Sequence, residues 1–345
     1  MERIFINTPL TKSEILVGHS WENLSELLPE TGVVIITDDN ILKIYRKKFP
    51  DFPVLSVAPG EKSKQLSVIE KLAGGLLELG IDRTGFILAI GGGVVCDIAG
   101  FLASVYMRGI RCGFVSTSLL SQVDASTGGK NGVNQGSVKN IIGTIRQPEF
   151  VLCDPEMLLT LPDDEFLSGL SELIKTAIIG DKVLFEFIEN SRDEILNRNT
   201  ELLTMLITRA VNFKSIVVTE DERETGLRRI LNFGHTYGHA IELERGIMHG
   251  FAVALGMKLS TAFSKKMGYL SADEADRIVR MLNTFNLLDN KFIPAEDMEK
   301  LIVHDKKKAG SSIHFVFAEG IGQAVVRKMA VSEITDFYRE FRNKY

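Results

Sequence analysis

Three histidines lie close together in the second half of the chain. His235 and His239 are four residues apart in NFGHTYGHA, and His249 follows in MHGFAVALGM. Residues four apart share one face of a helix, so the first two rings can point to one place. Clustered imidazoles bind metals, carry protons or are simply packed. The zinc-protease motif HExxH is absent because Thr236 follows the first histidine, and the residues alone leave these three interpretations open.

The composition predicts an ordinary globular protein. A chain of 345 residues is long for one core and suits two domains. The formal net charge of −5 argues against general affinity for nucleic acid, which needs a basic surface. The three cysteines, Cys96, Cys112 and Cys153, lie in apolar stretches without a CxxC spacing. Free thiols and a reducing cytoplasm are therefore expected.

No membrane segment is expected. The apolar stretch 86–107 contains Asp97 and four glycines, which favours a buried strand, a turn and a helix over a membrane span. The first ten residues, MERIFINTPL, lack the basic start and apolar run of a signal peptide. Both observations agree with a cytoplasmic protein.

The first half of the chain alternates strand and helix patterns. RIFIN and EILVG alternate polar and apolar residues, which predicts an opening hairpin. Strands of a parallel sheet are buried on both faces and appear as apolar runs. Such apolar runs occur at residues 33–37, 86–90, 111–117 and 150–154. A helix is predicted between the first two of them, at residues 62–80. The pattern predicts a mainly parallel, Rossmann-like sheet with helices on both faces.

After Pro155 the pattern becomes mainly helical. Long helical periods begin with DEFLSGLSELIKTAIIG, and SIHFVF and QAVVRK predict a small hairpin near the end. We therefore predict an α/β domain over residues 1–158 and a mainly α-helical domain over residues 159–345. In open α/β sheets, ligands bind beyond the carboxyl ends of the strands, so an active site is expected in the cleft between the domains.

The segment GGGVVCD, residues 91–97, follows a predicted strand and opens a predicted helix. Glycines at such a turn let the backbone approach a diphosphate, and the helix N-terminus favours negative charge. The dinucleotide fingerprint would have a third glycine where this chain has Cys96. A tight structural turn is the alternative interpretation.

Two further features agree with a nucleotide site. Asp38 follows the first apolar strand, where an acidic residue binds ribose hydroxyls, although a helix cap explains it equally well. Glu61 and Lys64 lie three residues apart in PGEKSK, where a first-turn salt bridge is the alternative.

The stretch from 116 to 144 combines glycines with charged and amide side chains. It contains Asp124, Lys130, Lys139 and Asn140, and its composition predicts a loop. Lysines beside exposed backbone N–H groups suit phosphate or carboxylate binding, and a solvated loop is the alternative.

Several long motifs together resemble the 3-dehydroquinate synthase family along nearly the whole chain. They include PGEKSK, GGGVVCDIAGF, YMRGI, TSLLSQVDASTGGK, SGLSELIK, DERETGLRRILNFGHTYGHAIE and MHGFAVALGM. The resemblance implies an NAD-binding α/β domain, a mainly helical metal-binding domain and a fold relationship to metal-dependent glycerol and alcohol dehydrogenases. It also implies different roles for the three histidines. His235 and His249 would bind one zinc or cobalt ion together with Glu172, and His239 would transfer protons.

The reaction implied by the resemblance is a lyase step, the second of the shikimate pathway. It converts 3-deoxy-D-arabino-heptulosonate 7-phosphate to 3-dehydroquinate and phosphate through NAD-mediated oxidation, β-elimination of phosphate, re-reduction, ring opening and aldol closure. The implied catalytic residues are His239, Lys130, Asp124, Lys175 and Glu224. The implied substrate contacts are Arg108, Asp124, Lys130, Lys139, Asn140, Lys175, Lys214, Arg228, Asn232, His239 and either Lys306 or Lys307.

The same resemblance implies a set of NAD contacts, namely Asp38, Glu61, Lys64, Gly92, Gly93, Asp97, Thr117, Ser118, Lys130, Lys139 and Thr160. Ser118 and Cys96 replace the family's usual threonine and glycine, and neither change is expected to abolish NAD binding. A homodimer is implied, with Arg108 reaching the partner's site. The alternatives are a sugar phosphate cyclase of the 2-deoxy-scyllo-inosose or valiolone type, a metal-dependent polyol dehydrogenase, and a binding protein without activity.

Overall fold

The computed structural model describes residues 1–8, 11–136, 138–289, 291–306 and 312–344. The strands are β1 (Glu2–Asn7), β2 (Lys12–Val17), β3 (Val33–Asp38), β4 (Val54–Val57), β5 (Phe86–Gly91), β6 (Arg111–Ser116), β7 (Lys130–Gln135), β8 (Val138–Ile145), β9 (Phe150–Cys153), β10 (Ser312–Ala318) and β11 (Ala324–Ala330). The helices are α1 (Asp39–Tyr45), α2 (Leu66–Glu78), α3 (Gly93–Val105), α4 (Asp163–Gly180), α5 (Lys182–Asn190), α6 (Arg192–Leu196), α7 (Thr200–Glu220), α8 (His235–Arg245), α9 (His249–Lys266), α10 (Ala272–Thr284), α11 (Ala295–Lys306) and α12 (Val331–Arg342).

The chain forms two compact units. The first contains Met1–Pro162 and Thr200–Arg223, and the second contains Asp163–Asn199 and Glu224–Tyr345. The predicted boundary after residue 158 stays a prediction. The observed grouping differs from it mainly in α7, which belongs to the first unit because it packs against β1, β2 and the segment Ser121–Ala125.

The first unit is built on a seven-stranded sheet in the order β1-β2-β9-β6-β5-β3-β4. Only the β1–β2 pair is antiparallel among these strands, so the predicted opening hairpin and mainly parallel sheet are confirmed. All six residues of β5 are buried, which explains the continuous apolar run. The carboxyl ends of β3, β5 and β6 lie at one edge, where the Thr37 hydroxyl donates to the Ile90 carbonyl and the Thr117 N–H donates to the Gly91 carbonyl.

The stretch 116–144 is not the loop that its composition predicts. Residues Ser121–Ala125 form one π-helical turn, and β7 and β8 form an antiparallel hairpin. Gly132 and Gly143 face each other in this hairpin, and a Cβ at Gly143 would lie 2.4 Å from the Asn131 carbonyl oxygen. These two glycines therefore permit close pairing of strands, and composition alone cannot distinguish that role from a flexible loop.

Two predicted helices have different bounds in the structure. The helix predicted over 62–80 begins at Leu66, because Gly60 has a φ of 91° and residues Glu61–Ser63 form a separate 3-10 turn. The helical period from 184 to 197 is divided into α5 and α6 at Ser191, whose φ of −121° and ψ of 35° are not helical.

One helix among the described residues, α7, has the length and apolar composition of a membrane-spanning segment. Half of its most apolar window is buried inside the protein. This helix packs on the strands of the first unit, as a core helix does.

The second unit is mainly helical and contains the predicted β10–β11 hairpin. Its core is rich in aromatic side chains, and the rings of Phe263 and Phe337 stack with centroids 4.3 Å apart. Tyr237 of α8 is fully buried and donates its hydroxyl to the Ile334 carbonyl at 2.9 Å. Because Tyr237 faces this core, residues 235, 239 and 242 lie on another face of α8.

Candidate metal centre and nucleotide-binding turn

Glycines bring three helices of the second unit into backbone contact. A Cβ at Gly256 of α9 would lie 2.0 Å from the Gly234 carbonyl oxygen, just before α8. A Cβ at Gly250 of α9 would lie 2.1 Å from the Ser168 carbonyl oxygen of α4. The Gly250 N–H also donates to the Ser168 hydroxyl at 3.1 Å. These contacts place Glu172, one turn beyond Ser168, beside the histidines of α8 and α9.

Glu172, His235 and His249 offer ligand atoms that all lie within 4.8 Å of one another. Glu172 Oε1 is 3.4 Å from His249 Nε2 and 3.8 Å from His235 Nε2. Glu172 is only 1% exposed, and Lys175 on the same helix forms an ion pair with it. Neither carboxylate oxygen has a hydrogen bond of regular geometry, and the groups that face this buried carboxylate are Lys175 and the two histidines. One carboxylate and two imidazoles suit a divalent transition metal and leave coordination positions for substrate.

The two candidate histidine ligands are oriented by hydrogen bonds from their other ring nitrogens. His235 Nδ1 donates to the Phe233 carbonyl at 3.2 Å, and His249 Nδ1 donates to Glu242 Oε2 at 2.9 Å. Both bonds direct Nε2 towards Glu172. Such bonds fix the tautomer of a metal-binding histidine and increase its basicity.

The electrostatic surroundings of the two histidines differ. Burial, followed by the positive charge of Lys175, holds the pKa of His235 well below its ordinary value of 6.5. Burial also acts to lower the pKa of His249, but the contacts with the Glu172 and Glu242 carboxylates outweigh it and raise that pKa to about 10. His235 is therefore already neutral and ready to bind a metal, whereas His249 must lose a proton to do so.

His239 lies beside the ligand group without belonging to it. Its ring centroid is 5.0 Å from that of His235 and 5.9 Å from that of His249, and its side chain is exposed. The residues alone allowed His235 and His239 to share one metal, whereas the geometry groups His235 with Glu172 and His249. His239 also forms a second group of potential ligands with Glu242 and His249.

Glu242 is absent from the residues that the sequence singled out. It follows His235 by seven residues and His239 by three, so helical periodicity places all three on one face of α8. That spacing could have identified it. Its contact with His249 depends on the turn at Gly246, which has a φ of 62° and lets α9 run back along α8.

The nucleotide-type turn of the first unit joins β5 to α3. Gly92 precedes the helix and Gly93 begins it. A Cβ at Gly93 would lie 3.1 Å from the Ala125 Cβ, so the turn is also tightly packed. Cys96 is 1% exposed at the position of the third fingerprint glycine, and burial raises the pKa of its thiol. It occupies this position as a small, unreactive side chain.

Asp38 caps the N-terminus of α1, which was the alternative to ribose binding in the sequence analysis. Its Oδ1 accepts hydrogen bonds from the Asn40 and Ile41 N–H groups at 2.9 and 3.1 Å. Burial raises the pKa of this half-buried carboxyl. The cap is compatible with ribose binding, because it uses Oδ1 and a carboxylate has a second oxygen.

Lys64 connects the PGEKSK turn to the helix after the glycines. Its Nζ is 2.5 Å from Asp97 Oδ2 and 3.9 Å from Glu61 Oε1, and it also donates to the Asn140 side chain. Burial raises the pKa of Asp97 to about 6, and the nearby Lys64 charge opposes that shift. The Lys64–Glu61 ion pair is weaker than the Lys64–Asp97 ion pair, because its charged atoms are farther apart.

The β7–β8 hairpin is tied to the same turn. The Asn134 N–H donates to the Lys64 carbonyl at 2.8 Å, and the Asn134 amide donates to Glu61 Oε1 at 2.8 Å. Asn140 has a φ of 52°, and its N–H donates to Asn134 Oδ1. Lys130 and Lys139 are exposed on this hairpin.

Five other predicted residues lie in the first unit. Lys214, 6% exposed, donates to the carbonyl and the carboxylate of Asp124 in the π-helical turn. Thr117 is buried, and the Ser118 hydroxyl lies 3.1 Å from that of Ser121. The Thr160 hydroxyl lies 2.6 Å from the Tyr45 hydroxyl.

The remaining predicted residues are distributed over both units. Arg108 is exposed on the first unit with a φ of 68°. In the second unit Arg228 is 3% exposed, and the Asn232 amide donates to Glu224 Oε1 at 2.5 Å. Lys306 ends α11, but its side chain is outside the described part of the structure, as is Lys307 altogether.

Comparisons with known proteins agree with the fold and show the family. The model for the 3-dehydroquinate synthase N-terminal region matches residues 54–168, and the C-terminal model matches 169–308. A 3-dehydroquinate synthase of Solibacter usitatus is 40% identical over 87% of each chain. One of Sulfurovum sp. is 39% identical over 93% of this chain and 94% of its own.

Two solved structures share the fold. A 2-deoxy-scyllo-inosose synthase complexed with carbaglucose-6-phosphate, NAD+ and Co2+ has a TM-score of 0.88, at 25% identity over 98% of this chain and all of its own. An iron-containing alcohol dehydrogenase has a TM-score of 0.62, at 16% identity over 92% of each chain. The fold thus places the chain in the structural class that sugar phosphate cyclases share with dehydrogenase-like proteins. Within that class, the chain belongs to the 3-dehydroquinate synthase family.

Proposed function

We propose that this protein is a lyase that converts 3-deoxy-D-arabino-heptulosonate 7-phosphate to 3-dehydroquinate and phosphate, with NAD and one divalent metal ion bound. The observation that carries the proposal is the Glu172–His235–His249 group, with Glu172 buried, in a chain that matches the family from residue 54 to residue 308. When bound, NAD would supply a hydride acceptor that returns the hydride, and the zinc or cobalt ion would supply a Lewis acid at the reacting oxygen.

Each unit contributes its own part of the machinery. In the first unit we assign the nucleotide to the turn at Gly92 and Gly93, with Asp38, Glu61, Lys64, Asp97, Thr117, Ser118, Lys130, Lys139 and Thr160 as further contacts. Backbone N–H groups at the start of α3 favour the negative charge of a diphosphate. In the second unit we assign the metal to Glu172, His235 and His249.

The substrate contacts are assigned by charge and by exposure. The exposed Lys130 and Lys139 can hold phosphate oxygens, with Asn140 beside them. Arg228 and Lys214 are buried cations suited to a carboxylate, and a guanidinium binds one with two parallel hydrogen bonds. Asp124, Lys175, Glu224 and Asn232 are assigned to the sugar hydroxyls, and Lys306 or Lys307 completes the set.

His239 is the proposed proton carrier. It is an exposed imidazole next to the ligand group, so it can exchange protons with solvent while remaining close to the reacting oxygen. His235 is unsuited to that role because its Nδ1 is engaged by the Phe233 carbonyl and its Nε2 faces Glu172.

We further propose a cytoplasmic homodimer in which Arg108 reaches the partner's site. Met107 and Arg108 both have positive φ values, and the Arg108 guanidinium forms no hydrogen bond or ion pair within the described ranges. Exposed apolar side chains occur at Val105 and Met107, next to Arg108 in the sequence, and at Ile141 and Ile145 on β8. Such a surface suits burial against a second copy. The buried free cysteines agree with a reducing compartment.

Two alternative activities differ from the proposal in substrate and in cofactor balance. Another sugar phosphate cyclase would use glucose 6-phosphate or sedoheptulose 7-phosphate, which lack a carboxylate. The buried Lys214 and Arg228 and the higher identity to 3-dehydroquinate synthases, 40% against 25%, favour the carboxylate-bearing substrate. A polyol dehydrogenase would accumulate NADH with turnover, whereas the proposed reaction leaves none.

The test is phosphate release from the three sugar phosphates in parallel, with NADH absorbance recorded at the same time. We expect release from heptulosonate phosphate without net NADH, and loss of release after treatment with a chelator. Preferential use of glucose 6-phosphate or sedoheptulose 7-phosphate would assign the chain to another cyclase. NADH formed in proportion to turnover would indicate a dehydrogenase.

A further inference from the structure

Glu242 is not among the residues that the sequence singled out, and it contacts one of the proposed metal ligands. It lies on α8 with a side chain that is 11% exposed, and its Oε2 accepts the hydrogen bond from His249 Nδ1 at 2.9 Å. We propose that Glu242 is a positioning residue for the metal centre: it holds the His249 ring so that Nε2 faces the ion. This assignment deepens the proposed function and rests on it for the identity of the ion's ligands.

The geometry of His249 explains why this residue needs an external support. His249 is the first residue of α9 and has a side chain that is 30% exposed, against 1% for Glu172 and 13% for His235. His235 is held by burial and by a backbone carbonyl only two residues away. His249 lacks that degree of burial, so rotation about its side-chain bonds has to be limited by a partner, and Glu242 is in hydrogen-bonding contact with it.

Glu242 accepts a hydrogen bond from His249 of the next helix, and the neighbouring cation on its own helix is engaged elsewhere. The cation one turn later on α8 is Arg245, and it is bound to Asp289 through both of its terminal nitrogens and to the Lys291 carbonyl at 2.8 Å. The hydrogen bond from His249 Nδ1 to Glu242 forms a carboxylate–histidine arrangement, which matches the support that histidine ligands commonly have. His249 is placed between two carboxylates, with Nε2 towards Glu172 and Nδ1 towards Glu242.

The competing role for Glu242 is that of a direct ligand. His239, Glu242 and His249 also bring ligand atoms within 4.8 Å of one another. In that case His249 Nδ1 would have to release Glu242 and bind a second ion itself. The hydrogen bond at 2.9 Å favours the supporting role, since it already occupies Nδ1.

The experiment compares Glu242→Gln and Glu242→Ala with the wild type and with Glu244→Gln, all as full chains. Glu244 is an exposed glutamate on the same helix and serves as the matched control. Metal-free proteins are titrated with Zn2+ against a chromophoric chelator, and the Co2+-loaded forms are compared by visible absorption. Loss of an outer hydrogen bond to a metal-binding histidine lowers metal affinity by about 10- to 100-fold.

We expect Glu242→Ala to lower the affinity for Zn2+ within that range and to shift the Co2+ absorption bands. Glu242→Gln should have a smaller effect because its amide oxygen still accepts the hydrogen bond, and Glu244→Gln should match the wild type. Unchanged Zn2+ affinity in a folded Glu242→Ala protein would overturn the proposal. A different result would also overturn the proposal: the wild type binds two Zn2+ ions, and Glu242→Gln loses the second while binding the first as tightly as before. Glu242 would then be a direct ligand of the second ion.

The outcome is separable from the proposed reaction because no substrate is present in the titration. If wild-type protein fails to release phosphate from heptulosonate phosphate, the proposed activity is wrong. The role of Glu242 would then still be decided by the Zn2+ titration.

Discussion

Lys64 Nζ lies 2.5 Å from Asp97 Oδ2, so one ion pair joins two segments that are 33 residues apart in the sequence. The Lys64 side chain is 4% exposed and that of Asp97 is 17% exposed. The pair therefore connects the PGEKSK turn to the first turns of α3 with little access to water. A buried pair of this kind depends on pH because Asp97 is harder to ionise in the folded protein than in the unfolded chain.

We predict that Asp97→Asn changes the pH dependence of stability. Burial raises the pKa of Asp97 from 3.8 to about 6, so between these values the folded protein binds more protons than the unfolded chain. The Asp97 contribution to the free energy of unfolding therefore falls as pH rises from about 4 to about 6, and the asparagine variant lacks this fall. The wild type should lose on the order of 2–3 kcal/mol relative to the variant between pH 4 and 7.5.

Urea unfolding at several pH values, without NAD, measures this difference. Asp39→Asn replaces an exposed carboxylate at the start of α1 and is the control. A difference between wild type and Asp97→Asn that stays constant with pH would contradict the prediction.

Metal binding is predicted to release a proton from His249. In the metal-free protein its pKa is raised to about 10, and a metal ion requires the unprotonated Nε2. The apparent affinity for Zn2+ should thus increase as pH rises from 7 towards 10, by about tenfold per unit when one proton is released. Titration in two buffers of different ionisation enthalpy measures the proton count.

His249→Ala is the companion variant. We expect it to remain folded and to lose bound metal in elemental analysis, with activity lost as well. Metal content equal to that of the wild type would show that His249 is not a ligand.

Gly256→Ala is predicted to destabilise the second unit. Its Cβ would lie 2.0 Å from the Gly234 carbonyl oxygen and 2.7 Å from the Gly238 nitrogen, so α8 and α9 would have to separate. Overpacking of this type costs about 1–3 kcal/mol. Thermal unfolding and Zn2+ affinity should both decrease, since His235 and His249 lie on the two helices concerned.

The control for this substitution is Gly74→Ala in α2, where no atom lies within 4 Å of the added carbon. That change should stabilise the protein by about 0.4–1 kcal/mol, because alanine has less conformational freedom in the unfolded chain. Equal effects of the two alanines would mean that the backbone contact at Gly256 is unimportant.

Complementation between inactive variants tests the proposed dimer. Arg108→Ala and His235→Ala should each be inactive, the first through loss of a phosphate contact and the second through loss of metal. Co-expression should restore roughly a quarter of wild-type activity, because random pairing makes half of the dimers mixed and each mixed dimer has one intact site. A purified mixed dimer without activity would place Arg108 in the site of its own chain or outside catalysis.

Local patterns in the sequence were sufficient for much of the fold. The apolar runs of β3, β5, β6 and β9 predict buried strands because a parallel sheet covered on both faces has no polar side. The glycines after β5 predict a tight strand-to-helix turn, which the structure contains. Spacing singled out the three histidines, and the resemblance to one family added Glu172 and grouped it with His235 and His249.

The contacts between distant segments were decided only by the tertiary structure. The hairpin at 130–145 was missed because facing glycines permit strand pairing as readily as they permit a loop. Glu242 was missed because its spacing on α8 marks a face of the helix but not what that face touches, and His249 arrives there only through the turn at Gly246. The link from Lys64 to Asp97 likewise requires two turns to meet at one edge of the sheet. Periodicity reports which side of an element is buried, whereas the partner across a contact depends on how elements far apart in the chain pack together.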